Sequence, residues 1–331
     1  MAFCVLAIVF SGISSCTQTP DCHQEEMFCA ALVTDTKGLN DHGLNQDTWV
    51  GLNQSYSDGM ANQIAYIESV NAKDYEKNIA YFADSGYDVI VTSGIGLREA
   101  TLYSADLYPD SVFIGMNQPD EESIPNFIPV TFAEDQMGFL AGVLAAGLTE
   151  TKIVGAVCET SGIASMWRYC EGFRAGVNYA DESVKTMVVY RDGESRGKLF
   201  IDPEWGYDNA QSLVEEGVDV IFAVGGETAV GALRAAGEAN VVAIGAERDQ
   251  RAALGMEGTG VVASVLGRAG PTLRDLMRSI KTGNLADAPL SLIGYIADGS
   301  IIPKSLIREM DEILLGLSDE TIKTNVTFEK P

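Results

Sequence analysis

Short apolar runs alternate along the chain with segments in which apolar residues recur at helical spacing. Several runs are almost continuously apolar, which is typical of strands buried on both faces of a parallel sheet. One intervening segment places Tyr75, Ile79 and Phe82 on a single helical face. The predicted strands are residues 27–34, 63–69, 88–92 and 111–116, followed by 153–157, 184–190, 218–224 and 241–244. Alternation of strands with helices predicts an α/β fold.

The two series of strands resemble each other in sequence. Gly86 opens a Gly-Tyr-Asp-Val-Ile strand, and Gly217 opens a Gly-Val-Asp-Val-Ile strand 131 residues further on. The next strand of each series leads to Asn117 and to Glu247, which are 130 residues apart. This near-constant separation predicts two lobes of one topology that face each other. Chance matching of common strand–helix patterns is the alternative.

Polar residues follow the predicted strands of both series. Ligands of open α/β sheets bind beyond the carboxyl ends of the strands, so two facing lobes predict a cleft lined by these residues. They are Asp35, Thr36, Ser93, Gly94, Asn117, Glu159, Thr160, Gly225, Gly226 and Glu247. Carboxylates, amides and hydroxyls suit a neutral, hydroxyl-rich ligand, whereas a phosphate would require Arg or Lys.

The 331 residues include 22 Lys and Arg against 47 Asp and Glu, which gives a formal net charge of −25. This balance argues against a nucleic-acid partner, because phosphates are bound by replacing their counterions with Lys and Arg. It also argues against docking on anionic lipid through a basic patch. An apolar fraction of 46% excludes global disorder, and the length suggests about two domains.

The N-terminus carries an apolar run, residues 3–10, that is too short to span a bilayer. It fits the apolar region of a secretory signal. The sequence Ile13-Ser14-Ser15-Cys16 that follows resembles the lipobox of bacterial lipoproteins, in which the Cys is acylated. We therefore expect a signal peptide over residues 1–16, a lipid on Cys16, a tether over 17–26 and an extracytoplasmic location. A buried first strand is the alternative.

Export leaves four cysteines to be explained, Cys22, Cys29, Cys158 and Cys170. Pairing of near neighbours, Cys22 with Cys29 and Cys158 with Cys170, is one of three connectivities. Free buried thiols are the alternative. There is no paired Cys-x-x-Cys, so neither a zinc site nor another metal site is predicted.

No motif in the sequence indicates an enzyme or a bound cofactor. The Gly-rich turn that starts at Ser93 lacks the third glycine of a dinucleotide fingerprint and predicts an ordinary helix N-terminus. Asp35 and Glu247 are conceivable as an acid–base pair, but carboxylates on facing lobes more often bind hydroxyls. Trp167 and Phe200 each allow two interpretations, stacking on a flat ligand or filling a core.

Four segments together resemble the basic membrane protein family, the purine-nucleoside-receptor-like lipoproteins that serve as substrate-binding subunits of ABC importers. The segments are residues 32–46, 139–142, 171–177 and 244–250, and the resemblance extends over residues 27–293. It implies the two-lobed periplasmic-binding-protein fold of the ribose-binding type (type I), with a helix-flanked parallel sheet in each lobe and three crossovers. The implied lobes are residues 27–132 plus 265–292 and residues 133–264 plus 293–331.

The resemblance also implies positions that contact the ligand. Asp35 and Phe200 match an acidic residue and a ring-stacking Phe of the family. Leu44 stands in place of a second stacking Phe, and Asn117 and Glu247 each stand in place of an Asp. Gly267, next to Arg268, replaces a Lys. With the strand-end residues, the predicted ligand set is Asp35, Thr36, Leu44, Asn45, Ser93, Asn117, Trp167, Phe200, Gly226 and Glu247.

The predicted protein is a monomeric, lipid-anchored, non-enzymatic substrate-binding subunit of an ABC importer. It binds a nucleoside-like molecule between its lobes, works with permease subunits, and contacts the membrane only through its lipid. The alternatives are a sugar or another small polar metabolite as ligand, a sensor subunit, and an enzyme that processes a nucleoside or glycoside with Asp35 and Glu247.

Overall fold

The computed structural model describes residues 21–119, 124–255, 260–284 and 293–330, so the predicted signal peptide and Cys16 lie outside the described residues. A first, fully parallel sheet has the strand order β2-β1-β3-β4-β5. Its strands are β1 (Cys29–Thr34), β2 (Gln63–Glu68), β3 (Val89–Ser93), β4 (Val112–Met116) and β5 (Phe127–Val130). The helices between them are α1 (Leu44–Ser57), α2 (Tyr75–Asp84) and α3 (Arg98–Leu107).

The second sheet repeats this order as β7-β6-β8-β9-β10 and adds β11 antiparallel to β10. Its strands are β6 (Ile153–Cys158), β7 (Lys185–Tyr190), β8 (Val220–Val224), β9 (Val242–Ala246), β10 (Val261–Gly267) and β11 (Ile293–Ala297). The remaining helices are α4 (Glu134–Leu148), α5 (Ala164–Ala180), α6 (Pro203–Glu215), α7 (Gly226–Glu238), α8 (Gln250–Leu254), α9 (Ala269–Thr282) and α10 (Lys304–Ser318). The predicted α/β fold with two lobes of one topology is confirmed. The prediction lacked β5, β10 and β11.

Helices α4 and α5 pack backbone against backbone. A Cβ added to Gly142 would lie 2.1 Å from the carbonyl oxygen of Phe173, and one added to Gly176 would lie 2.0 Å from that of Phe139. Glycine is therefore required at both positions. Residues 139–142 and 171–177, two of the segments that resemble the family, therefore contain glycine because the two helices touch there.

The chain passes repeatedly between the two sheets. It leaves the first after β5, returns to it after β10 as α9, and is again in the second sheet at β11. Helix α9 packs on α1, where the Gly270 amide donates to Asp47 Oδ2 at 2.9 Å. Helix α10 packs on α4 instead.

Both local disulfides are present, Cys22–Cys29 and Cys158–Cys170. The first ties the segment before β1 to that strand, and the second ties the end of β6 to α5. Pairing of near neighbours is therefore the observed connectivity. Within the described ranges, no helix is long and apolar enough to cross a membrane.

Candidate functional site

Strand register brings the predicted residues of the first lobe to one edge of the sheet. Thr34 lies beside Ser93, and Ser93 lies beside Met116. Gly94 packs on Asp35, since a Cβ added there would lie 3.0 Å from Asp35 Oδ2. Asp35, Gly94 and the residue after Met116 therefore share the carboxyl edge of the sheet.

The second lobe presents the corresponding edge. Cys158 lies beside Val224, and the Glu159 amide donates to the Val224 carbonyl at 3.2 Å. The Glu247 amide donates to the carbonyl of Val265, on the next strand, at 2.9 Å. Glu159, Gly225 and Glu247 thus follow neighbouring strands.

The two edges meet at a contact between loops. The Asp249 amide donates to the His42 carbonyl at 3.0 Å, across the lobes. Beside this bond, a Cβ added to Gly43 would lie 2.8 Å from Arg248 Cβ. The loop that precedes α1 therefore touches the loop that follows β9, which brings Leu44 and Glu247 to the same cleft.

The loop between β1 and α1 is held by carboxylates. Asp41 caps α1 by accepting the amides of Gly43 and Gln46 at 2.9 and 3.1 Å. The Asn45 side chain donates to Asp35 Oδ1 at 2.8 Å. Leu44, the first residue of the helix, is half-buried. The loop therefore has a defined shape before any ligand arrives.

Among the buried side-chain oxygens that have no hydrogen-bond partner within the described part of the chain, two belong to the predicted ligand set. They are Asn45 Oδ1 and Ser93 Oγ. Buried polar atoms are nearly always satisfied, so both are available to a polar ligand or to water.

Thr36 is hydrogen-bonded to Tyr75. Burial, and next the Asp35 carboxylate, raise the pKa of Tyr75, so its hydroxyl stays protonated.

Phe200 lies where the β7–α6 loop passes over Gly226. Its amide donates to Glu159 Oε2 at 2.9 Å, and its carbonyl accepts the Glu227 amide at 2.8 Å. A Cβ added to Gly226 would lie 2.7 Å from the Phe200 carbonyl oxygen. The backbone of Phe200 is therefore fixed at both ends, and its ring is partly buried.

Asn117 and Glu247 are exposed at the ends of β4 and β9. Both have a left-handed backbone, with φ of 58° and 71°. The turn around Glu247 is held by Gln250 Nε2, which donates to the Ala246 carbonyl at 2.9 Å. Burial raises the pKa of Tyr169 well above its usual value, and the Glu247 carboxylate raises it further. The Glu247 carboxylate therefore lies close enough to α5 to interact electrostatically with Tyr169.

Trp167 does not join these residues. Its ring stacks on Tyr190 at a centroid distance of 6.0 Å, and its Nε1 donates to Thr327 Oγ1 at 3.3 Å. It lines a surface cavity of about 400 Å³ between α5 and the C-terminal segment. Gly267 packs on Phe132, and Arg268 lines another cavity, of about 450 Å³, beside β11.

Sequence reasoning missed the charged groups beneath Phe200. The strand-end pattern predicts that Glu159 lines the cleft, whereas the structure buries it completely, and no pattern indicates a role for Arg191 or Asp202. All three are buried and joined by ion pairs, Arg191 to Glu159 at 3.4 Å and to Asp202 at 3.0 Å. The available signal was a charged residue directly after each of two neighbouring strands, β6 and β7. Across the described residues, no group of three or more His, Cys, Asp or Glu side chains forms a metal site.

Known sequences resemble the chain over most of its length. The profile of the Bmp family, described as ABC transporter substrate-binding protein PnrA-like, matches residues 28–280. The ABC transporter nucleoside-binding protein BmpA of Lactococcus lactis is 28% identical over 276 residues. That alignment covers 77% of this chain and 75% of the relative.

Solved structures share the fold. An ABC transporter solute-binding protein from Conexibacter woesei matches with a TM-score of 0.72 at 20% identity, covering 91% of this chain and 100% of that one. A periplasmic ribose ABC transporter protein from the same organism matches with a TM-score of 0.59 at 15% identity, covering 89% and 97%. The ribose-type two-lobed fold is thereby confirmed.

Proposed function

Because the chain belongs to the PnrA-like family of ABC transporter substrate-binding proteins, we propose that it binds a purine-nucleoside-like molecule between its lobes. The observation that carries the proposal is the pairing of an apolar surface with polar strand ends in one cleft. Phe200 and Leu44 supply the apolar surface, and Asp35, Asn117 and Glu247 supply the polar groups. A nucleoside has the same division, a flat base joined to a hydroxyl-bearing sugar.

The base lies against Phe200, whose backbone is fixed at its amide and its carbonyl. Aromatic contact with a flat ring is favourable beyond the apolar area that it buries. Leu44 covers the other ring face without adding a second aromatic contact.

The sugar hydroxyls bind to Asp35, Asn117 and Glu247. Carboxylates accept hydrogen bonds from hydroxyls, and the Asn117 amide both donates and accepts. Ser93 Oγ and Asn45 Oδ1, which are buried and unpartnered in the described part of the chain, supply further polar contacts. Trp167 is the weakest member of the proposed set, because its indole is engaged with Tyr190 and Thr327.

The protein acts outside the cytoplasm, anchored by a lipid on Cys16, and delivers its ligand to permease subunits as a monomer. Two disulfides support this location, since disulfides persist in oxidising compartments. Relatives are named lipoproteins, among them one from Pyrococcus horikoshii. The ligand leaves unchanged, because the family and the fold are those of substrate-binding proteins.

Calorimetric titration with adenosine, guanosine, inosine, uridine, adenine and ribose tests the ligand. We expect a purine nucleoside to bind more tightly than adenine or ribose alone, since each of these fills only half of the cleft. If ribose binds as tightly as any nucleoside, the ligand is a sugar and the nucleoside proposal is wrong. Chromatography of the titrated adenosine after prolonged incubation tests the absence of turnover, because released adenine would reveal an enzyme.

A further inference from the structure

Four buried polar side chains lie beneath Phe200 and Gly226. They are Glu159, Arg191, Asp202 and Thr228, and we refer to them as the Glu159 cluster. Glu159 and Thr228 are fully buried, and Arg191 and Asp202 are 2% and 5% exposed. Charged residues are rarely buried to this degree unless they are paired.

The Glu159 carboxylate accepts three donors from two segments of the second lobe. Its Oε2 accepts the Phe200 amide at 2.9 Å and the Thr228 hydroxyl at 2.8 Å. Its Oε1 lies 3.4 Å from Arg191 Nη1. One side chain at the end of β6 therefore connects the β7–α6 loop to the start of α7.

Arg191 lies at the start of the β7–α6 loop and holds it there by hydrogen bonds. Its two terminal nitrogens donate to the Ser195 carbonyl at 3.3 and 3.2 Å, and Nη2 also donates to Asp202 Oδ2 at 3.0 Å. Burial acts to raise the pKa of Asp202, but hydrogen bonds from Arg191 and Lys198 outweigh it and lower the pKa. Asp202 therefore stays ionised beside the guanidinium.

Stability alone does not account for such a cluster. Buried ion pairs are often matched or exceeded in stability by well-packed apolar side chains. What the cluster supplies is a defined geometry for Phe200, whose left-handed φ of 64° is unfavourable for a bulky residue. The hydrogen bond to Glu159 holds the backbone in that conformation.

We propose that Glu159 is a positioning residue that presets the Phe200 ring for the ligand without touching the ligand itself. The inference rests on the proposed role of Phe200 in the cleft. It predicts that the strength of ligand binding depends on a carboxylate buried beneath the binding surface.

The first test measures hydrogen exchange of the Phe200 amide in the ligand-free protein. Glu159→Gln removes the charge that pairs with Arg191, and we expect this amide to exchange at least roughly tenfold faster. Asp219→Asn is the matched control, because Asp219 accepts the Glu150 and Thr151 amides at 2.6 and 2.8 Å at the opposite end of the same sheet. It should leave Phe200 exchange unchanged. Unchanged exchange in E159Q would overturn the proposal.

The second test is a double-mutant cycle with adenosine as the probe. In the wild-type background, E159Q should weaken binding by roughly 5- to 10-fold, because the neutral amide oxygen that remains accepts a weaker hydrogen bond than the carboxylate does. In the Phe200→Leu background it should have almost no further effect. If E159Q weakens adenosine binding by the same factor in both backgrounds, Glu159 does not act through Phe200.

The two tests separate this proposal from the proposed function. If adenosine and the other nucleosides fail to bind the wild-type protein, the nucleoside proposal is wrong, while hydrogen exchange still decides whether Glu159 positions Phe200. If E159Q does not fold, Glu159→Asp replaces it, since the shorter side chain keeps the charge beside Arg191 but withdraws the carboxylate from the Phe200 amide. The same acceleration of Phe200 exchange is expected, and its absence would count against the proposal.

Discussion

At the scale of residues, unusual backbone conformations mark the cleft. His42, Asn117, Phe200 and Glu247 all have positive φ, between 53° and 71°. Asn adopts this region readily, but Phe and Glu do so only when neighbouring contacts impose it. Such residues concentrate at functional sites, where the surrounding structure compensates the strain. The hydrogen bond from the Phe200 amide to Glu159 imposes the backbone conformation of Phe200. The hydrogen bond from Gln250 to the Ala246 carbonyl holds the turn at Glu247.

Leu44 provides a direct test of which residues flank the ligand. Leu44→Phe would add an aromatic face opposite Phe200, and an aromatic pair contributes about 0.5–1.5 kcal/mol beyond its buried area. We expect purine nucleosides to bind roughly 2- to 12-fold more tightly to this variant, measured by calorimetry.

Leu44→Met is the matched control, because it changes the side chain without adding a ring, and it should leave the affinity nearly unchanged. Equal gains for ribose and for adenosine in L44F would contradict the assignment, since ribose has no flat ring to stack.

The sequence predicted part of this site for a simple physical reason. Asp35 and Asn117 directly follow strands of the first sheet, whose register brings them to one edge, and Glu247 directly follows a strand at the corresponding edge of the second sheet. Trp167 lies on α5, where its surroundings depend on Thr327, 160 positions away. No local pattern encodes a contact of that range, and the same holds for the partners of Glu159.

At the scale of elements, the eight predicted strands belong to the two similar series, and three further strands were missed. β5 spans only four residues and contains Pro129, which is tolerated at the edge position that the strand occupies. β10 is a buried apolar run of seven residues, which periodicity alone does not distinguish from a buried helix. β11 is a half-exposed antiparallel edge strand of only five residues, and Gly294 within it lowers its strand propensity.

The loops at the rim of the second lobe are joined by Asp192. Its carboxylate accepts the Ser161 amide and the Thr160 hydroxyl, both at 2.8 Å. Burial acts to raise its pKa, but hydrogen bonds from Ser161 and Thr160 outweigh it and lower the pKa to about 2. The folded-state value is thus depressed from 3.8, so the carboxylate stabilises the fold above about pH 4 and loses this effect as the pH falls towards 2.

Asp192→Asn should therefore lower the melting temperature near neutral pH, by about 1–3 °C because the group is partly exposed and screened by water. The difference from the wild-type protein should shrink between pH 4 and pH 2. Circular-dichroism melts across this range measure it, with Asp208→Asn as a control at an exposed carboxylate. A constant difference at every pH would assign the effect to packing rather than to charge.

At the scale of the whole molecule, the lobes are interleaved. The two similar series of strands predicted two lobes, but the passage from β10 to α9, where the chain changes lobes within two residues, is too short to stand out as a linker. Gly267 lies at this passage, and a Cβ there would come within 2.3 Å of the Phe132 ring near the other crossover. Close packing of the two passages explains why a glycine stands there.

The contact between His42–Gly43 and Arg248–Asp249 tests whether closure of the lobes controls binding. In Gly43→Ala the new methyl group would lie 2.8 Å from Arg248 Cβ, too close for the loops to meet. Overpacking of this kind costs about 1–3 kcal/mol, so nucleoside affinity should fall roughly 5- to 100-fold. The melting temperature should change little, because neither core is altered. Small-angle scattering with saturating ligand should show a larger radius of gyration than for the wild-type protein.

Gly299→Ala is the matched control, since a Cβ there meets no atom within 4 Å. The decisive variant combines Gly43→Ala with Arg248→Gly, which moves the Cβ from one side of the contact to the other. If closure requires the loops to meet, the double variant should regain much of the affinity that Gly43→Ala loses, despite the loss of a side chain from the cleft. If the double variant binds no better than Gly43→Ala alone, the clash is not the cause, and the loop contact does not control closure.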